Sequence, residues 1–132
     1  MGKELLAKGM GASPGTATGE IVFRSEDAVA LAAQGKSVIL VRIETTSEDV
    51  AGMKVAAGIV TTRGGITGDA AIVARSLGKP CIASCSPIRV DYASDSLTIW
   101  RDSTSDEEDD DRVLKKGDVI TIDGAKGEIW TA

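Results

Sequence analysis

Residues Thr61 to Ile82 read TTRGGITGDAAIVARSLGKPCI. A short β-branched run ends at Arg63, passes through Gly64-Gly65, and gives way at Gly68-Asp69 to helical spacing. Thr67 is a candidate N-cap, and Ile72, Val73 and Leu77 supply an apolar stripe. Gly78 with Pro80 stops the helix. A strand that runs through paired glycines into a helix can hold an anion. The glycines let the backbone approach closely and bare its N–H groups, and the helix start adds donors and positive potential. Arg63 would add a planar fork for phosphate. The same residues also suit a plain tight turn beside a solvated arginine. No Gly-Lys-Ser/Thr follows, so this is not a Walker loop, and it is not the G-x-G-x-x-G dinucleotide fingerprint.

Working outward, short β-branched runs recur along the chain. Glu20–Phe23, Ser37–Val41 and Gly58–Thr62 read as strands, as do Ile82–Ala83, Leu97–Trp100, Asp118–Asp123 and Glu128–Trp130. Asp123-Gly124 marks a turn between the last two. A helix is expected from Ser47, with Ser47 as cap and Val50, Met53 and Val55 facing inward. Another is expected over Ser25–Ala33, capped by Ser25. This order of elements, with a strand-rich second half, predicts an α/β (α+β) fold.

The 132 residues suit one domain spanning 1–132. Apolar residues are 42% of the chain and aromatics only 3%, so the core must be aliphatic. No apolar run approaches the roughly 18 residues of a membrane span, and Met1–Met10 lacks an apolar signal stretch. The net charge of −5 is local: residues 102–111, DSTSDEEDDD, carry seven acidic and no basic side chains, and removing them leaves +2. That stretch is expected to be a flexible acidic loop, and nothing in the rest resembles a basic nucleic-acid footprint. Cys81 and Cys85 have neither redox nor zinc-ribbon spacing. With no histidine in the chain, a Cys-and-His metal site is excluded and no metal ligand set is expected. Two reduced thiols of a cytoplasmic protein are expected instead, with Cys81 mostly buried and inert.

The stretch from Gly64 to Arg75, followed by Gly78-Lys79-Pro80-Cys81, resembles the signature of the phosphoenolpyruvate (PEP)-utilising mobile domain, roughly G-G-x-T-S-H-A-A-x-x-A-R and then G-x-P. The resemblance extends to Lys8–Gly19, Val38–Met53 and Lys116–Glu128, and covers nearly the whole chain except Asp91–Arg112. It is greatest to the branch of the family formed by the pyruvate phosphate dikinases. It implies a three-layer β/β/α swivelling phosphohistidine-type domain, whose histidine at the helix start carries phosphate between two partners. Those partners are a nucleotide-grasp domain and a PEP/pyruvate barrel domain, in the same chain or separate. ATP and Mg²⁺ would bind there, with no cofactor in this domain. The resemblance also implies a phosphate cradle of Arg63, Gly64, Gly65 and Gly68, and a regulatory phosphorylation site at Thr67.

The chain departs from that pattern at the decisive position: Ser-His is replaced by Gly68-Asp69. In one reading the domain is degenerate, and Asp69 is a permanent charge on a docking or regulatory module. In another, Asp69 itself accepts phosphate as an acyl phosphate. In a third, Asp69 only stabilises its helix by about 0.3–1 kcal/mol.

Overall fold

The computed structural model describes residues 4–45, 47–63, 69–99 and 112–131. The acidic stretch 102–111, the glycine loop 64–68 and with it Thr67 lie outside the described residues.

Two adjacent N-terminal strands, β1 (Leu5–Lys8) and β2 (Met10–Ser13), precede β3 (Thr16–Val22). Then strands and helices alternate: α1 (Ser25–Ala33), β4 (Val38–Arg42), α2 (Val50–Val55), β5 (Gly58–Thr61), α3 (Asp69–Leu77) and β6 (Cys81–Ala83). The second half is strands alone: β7 (Ile88–Asp91), β8 (Ser96–Ile99), β9 (Arg112–Lys115), β10 (Val119–Asp123) and β11 (Glu128–Thr131). Eight strands form one mixed sheet in the order β1-β11-β10-β3-β4-β5-β6-β2, and β7-β8-β9 form a second.

Strands β3 to β6 are parallel and sit in chain order. Right-handed crossovers between strands laid down in sequence put every connecting helix on the same face. The packing shows this directly. Along β4, Val38 and Leu40 join Ala28, Met53, Ala71 and Ala74 of the helices in one cluster. The alternate residues Ile39 and Val41 join Ile88, Val90, Leu97 and Ile99 of the small sheet in the other. The period-2 alternation of side chains is hidden in the sequence because both faces are buried, so Val38–Val41 reads as an unbroken apolar run. The layers are therefore small sheet, large sheet and helices, the β/β/α architecture expected.

The large sheet curls until its two edges are consecutive pieces of chain. β1 pairs with β11 at one edge and β2 with β6 at the other, and only Gly9 separates them. The Gly9 N–H donates to Gly127 O at 2.7 Å, and the Gly124 N–H to Gly15 O at 2.7 Å. The β10–β11 turn thus lies against the N-terminal strands and ties the edges together.

Several local expectations are corrected. Helix α2 starts only at Val50, with Asp49 at its cap position and a 3-10 turn over Ser47–Asp49, so Ser47 is not its cap. Val55 is exposed, while Gly52 and Met53 form the buried face. α1 has the span expected, but Arg24 stands at its cap position; the Ser25 hydroxyl instead accepts the Gly52 N–H at 2.8 Å and joins α1 to α2. In α3 the buried face is Ala70, Ala71 and Ala74, with Val73 and Leu77 half-buried against it and Ile72 exposed. Small alanines let the helix lie close to the sheet. The end of α3 follows expectation: Gly78 has φ +70° and the Lys79 N–H reaches back to Ala74 O.

Candidate functional site

The parallel strands place the segments after β4 and β5 at one end of the large sheet, and α3 begins there at Asp69. This is the carboxyl end of the strands, where open α/β sheets commonly bind ligands. The structure places Arg63 exposed at the point where the chain leaves β5. Its backbone is held from both sides: the Arg63 N–H donates to Ile43 O at 3.0 Å, and the Thr61 hydroxyl donates to Arg63 O at 3.0 Å. The Thr62 N–H donates to Arg42 O at 3.2 Å. The entry to the glycine loop is thus anchored, although Gly64, Gly65, Thr67 and Gly68 lie outside the described residues. Of the proposed cradle, the structure therefore places Arg63, and of the proposed acceptor position the backbone of Asp69 as the first residue of α3.

Beneath this entry lies a network that sequence reasoning missed. The guanidinium of Arg42, the last residue of β4, stacks 4.7 Å from the Tyr92 ring centroid. It donates to Phe23 O at 2.7 Å, and its Nε lies 3.3 Å from the buried Asp49 carboxylate. The Nε contact is an ion pair without hydrogen-bond alignment. The Tyr92 hydroxyl accepts the Ile43 N–H at 2.8 Å, and the Arg24 guanidinium donates to Tyr92 O at 3.0 Å. Tyr92, just after β7, thereby fastens the small sheet to the segment that supports Arg63. The available signal was a lone arginine ending an otherwise apolar strand. Its partners are 7, 19 and 50 residues away, so spacing could not reveal them.

Tyr92→Phe is expected to leave the half-buried Ile43 N–H without its acceptor while keeping the ring under Arg42. A loss of about 1–2 kcal/mol of stability is expected, within the range for an orphaned donor. Urea unfolding measures it, and faster hydrogen exchange at the Ile43 and Arg63 amides would locate it.

On the other flank, Ser84 takes a left-handed φ of +49°, a conformation that costs a non-glycine residue about 1–2 kcal/mol. The turn brings the Cys85 N–H to Thr61 O at 3.0 Å, so β6 also braces the end of β5. Cys81 and Cys85 are free and fully buried in opposite layers, and burial pushes both thiols up to about 12. They are inert as nucleophiles near neutral pH. One Arg75 Nη donates to Ala12 O at 3.0 Å, clasping α3 to β2. The Lys79 ammonium donates to Ala56 O at 2.6 Å, and its partial burial lowers its pKa. An open cleft of about 280 Å³ lined by Thr16, Thr121, Asp123 and Trp130 lies on strands that do not border α3, and it is not part of this site. Among the described residues, no helix is long and apolar enough to cross a membrane.

Residues 34–127 match the family model of the PEP-utilising enzyme mobile domain. The chain is 49% identical over 127 residues to pyruvate, phosphate dikinase of Rhizobium meliloti (strain 1021), covering 96% of this chain and 13% of that protein. It is 49% identical to pyruvate, phosphate dikinase 2 of Oryza sativa subsp. japonica, over 97% of this chain and 13% of that one. With the chloroplastic pyruvate, phosphate dikinase of Flaveria pringlei the identity is 50%, over 95% of this chain and 12% of the relative. The chain thus spans about an eighth of the length of these relatives, whose remaining sequence forms other parts of each enzyme. On the family match and the near-complete overlap, the chain belongs to the PEP-utilising enzyme mobile-domain family.

Proposed function

We propose that this is the phosphocarrier-type domain of a pyruvate phosphate dikinase-like phosphotransferase, and that its acceptor position has lost phosphate transfer. The carrying observation is Asp69 as the first residue of α3 in a chain without histidine. A carboxylate brings full negative charge toward an anionic phosphoryl group, where neutral imidazole brings none. It is also shorter than imidazole by roughly one to two bond lengths of about 1.3–1.5 Å. Site geometry suited to imidazole tolerates such a gap badly. At the start of a helix the same carboxylate is favourable, by about 0.3–1 kcal/mol, so the position can be retained for stability alone.

The partners in this reading are a nucleotide-grasp domain and a PEP/pyruvate barrel domain, which would hold ATP and Mg²⁺. Thr67 is the hydroxyl a regulatory kinase would modify. The isolated 132 residues would not perform a full dikinase reaction.

The test supplies a separately produced nucleotide-binding domain with ATP labelled in its β- and γ-phosphates. The corresponding segment of the Rhizobium meliloti relative serves as control. No label is expected on this chain. Hydroxylamine-sensitive label that disappears in Asp69→Ala would overturn the reading and establish an aspartyl carrier.

A further inference from the structure

The helices cover only part of the large sheet. Their core cluster draws residues from β2 to β6 and none from β1, β10 or β11. On β10 and β11, Ile120, Ile122 and Ile129 join the small sheet's cluster, so the alternate residues Thr121, Asp123, Glu128 and Trp130 point the other way. No described element lies over them. Thr121, Asp123 and Trp130, with Thr16 of β3, line the open cleft of about 280 Å³, whose walls are mainly carbon. The Thr121 hydroxyl at its floor is engaged by the Thr18 hydroxyl at 2.7 Å. Leu5, paired with Trp130, and Val119, two residues before Thr121, are exposed on the same face.

The charges at this cleft have one sign. Asp123 and Glu128 stand directly opposite one another in the β10–β11 register, where like charges destabilise a sheet pair. Both carboxylates are held in place. Asp123 Oδ1 accepts the Ala125 and Lys126 N–H groups at 3.0 and 3.1 Å, and Glu128 Oε1 accepts the Trp130 indole N–H at 3.2 Å. Lys8 lies opposite Glu128 on β1, yet among the described residues neither carboxylate forms an ion pair.

We propose that the Trp130 cleft receives an arginine side chain from a partner protein. Three properties of the cleft select that occupant. Two fixed carboxylates favour a cation and repel phosphate esters. The indole face attracts cations, and a guanidinium is flat and weakly hydrated enough to stack on it. The carbon walls suit the aliphatic stem that an arginine carries behind its charge. The volume falls at the lower limit of small-ligand sites, about 300–1,000 Å³, so it suits one side chain better than a nucleotide. Leu5 and Val119 would then border the residues on either side of the arginine. This proposal is independent of phosphate carriage, because the cleft lies on strands that do not border α3.

The test titrates the isotope-labelled chain with a blocked Ala-Arg-Ala peptide and follows backbone and indole N–H shifts. Its counterparts carry lysine or citrulline, the uncharged analogue of arginine, in the central position. Saturable shifts are expected at Thr16, Thr121, Asp123 and Trp130. The citrulline peptide should bind at least fivefold more weakly, and the lysine peptide should fall between the two. Asp123→Asn with Glu128→Gln keeps the acceptor oxygens that hold the turn and the indole while removing both charges. That variant should lose at least fivefold in arginine affinity and no longer discriminate against citrulline. Glu26→Gln, which removes an exposed acid on α1, should stay within twofold. The proposal is overturned by absent shifts, by shifts centred away from Trp130, by equal affinity for the citrulline peptide, or by native affinity in the double variant.

Discussion

Gly124→Ala is expected to cost at least about 3 kcal/mol, a large share of the roughly 5–15 kcal/mol that stabilises a typical domain. A Cβ at Gly124 would collide with the Ser13 carbonyl oxygen and lie 2.9 Å from the Cys81 amide nitrogen. Both are backbone atoms of paired strands, so no side-chain rotation relieves the clash. The β10–β11 turn would have to lift away from β2, opening the joint where the curled sheet meets itself. Helix α3 is clasped to that same strand through Ala12, so the damage should spread to the site. Gly35→Ala is the matched control. Gly35 has φ +82° but nothing within 4 Å of an added Cβ. Its replacement carries only the conformational penalty of a left-handed alanine, about 1 kcal/mol. Urea unfolding of the two variants should separate them clearly. Equal losses would show that the closure at Gly124 yields without strain.

Those contacts also explain which parts of the fold were legible in the sequence. Val38–Val41, Gly58–Thr61 and Val119–Asp123 are apolar or β-branched, and each forms a strand within a residue or two of expectation. Leu5–Ser13 contains Lys8, Gly9 and Gly11, which local propensity disfavours in strands, and β1 and β2 were missed. They form because the Gly9 N–H reaches Gly127 O and because only a glycine at position 11 fits beneath Ala125 O, where a Cβ would lie 2.5 Å away. That is a tertiary cause, and no window of the sequence contains both partners. β9 is four residues, RVLK, with charges at both ends. Its pairing with β8 decides it.

The site divides in the same way. The expectations for Arg63 and Asp69 rest on a contiguous strand–glycine–helix pattern, which a single window of the sequence contains. Arg42, Asp49 and Tyr92 could not be found in this way, since their meeting depends on the packing of the small sheet across the end of β4. The exposed Ile72 was misjudged for a related reason. Helical spacing gave it an inward direction, but alanines at 70, 71 and 74 already fill the face against the sheet. A helix seated that closely has no room for a larger residue beneath it, and the stripe rotates outward.

The double replacement Gly68→Ser with Asp69→His is expected to raise phosphate acceptance from undetectable to measurable, a gain of about 100-fold or more, comparable to the cost of an ångström-scale misplacement. Transfer requires a nitrogen lone pair to approach phosphorus in line, so that an N–P bond forms while the bridging P–O bond breaks and its electron pair leaves with the departing nucleotide. Imidazole at the first position of α3 supplies that lone pair without a repelling charge, and reaches further than the carboxylate it replaces. The entry to the glycine loop is already anchored. Arg63 is held by Ile43 O and by the Thr61 hydroxyl, and the end of β5 is braced by the Cys85 N–H. The change should not weaken α3 greatly, since its buried face of Ala70, Ala71 and Ala74 is untouched, and losing a first-turn acid costs about 0.3–1 kcal/mol. Label on the double variant should be acid-labile and stable to alkali, as a phosphoimidazole is and an acyl phosphate is not. Asp69→His alone should recover part of the effect. If the double variant binds the nucleotide-binding domain and still takes no label, the absence of imidazole is not what silences the site. The defect would then lie in the glycine loop itself.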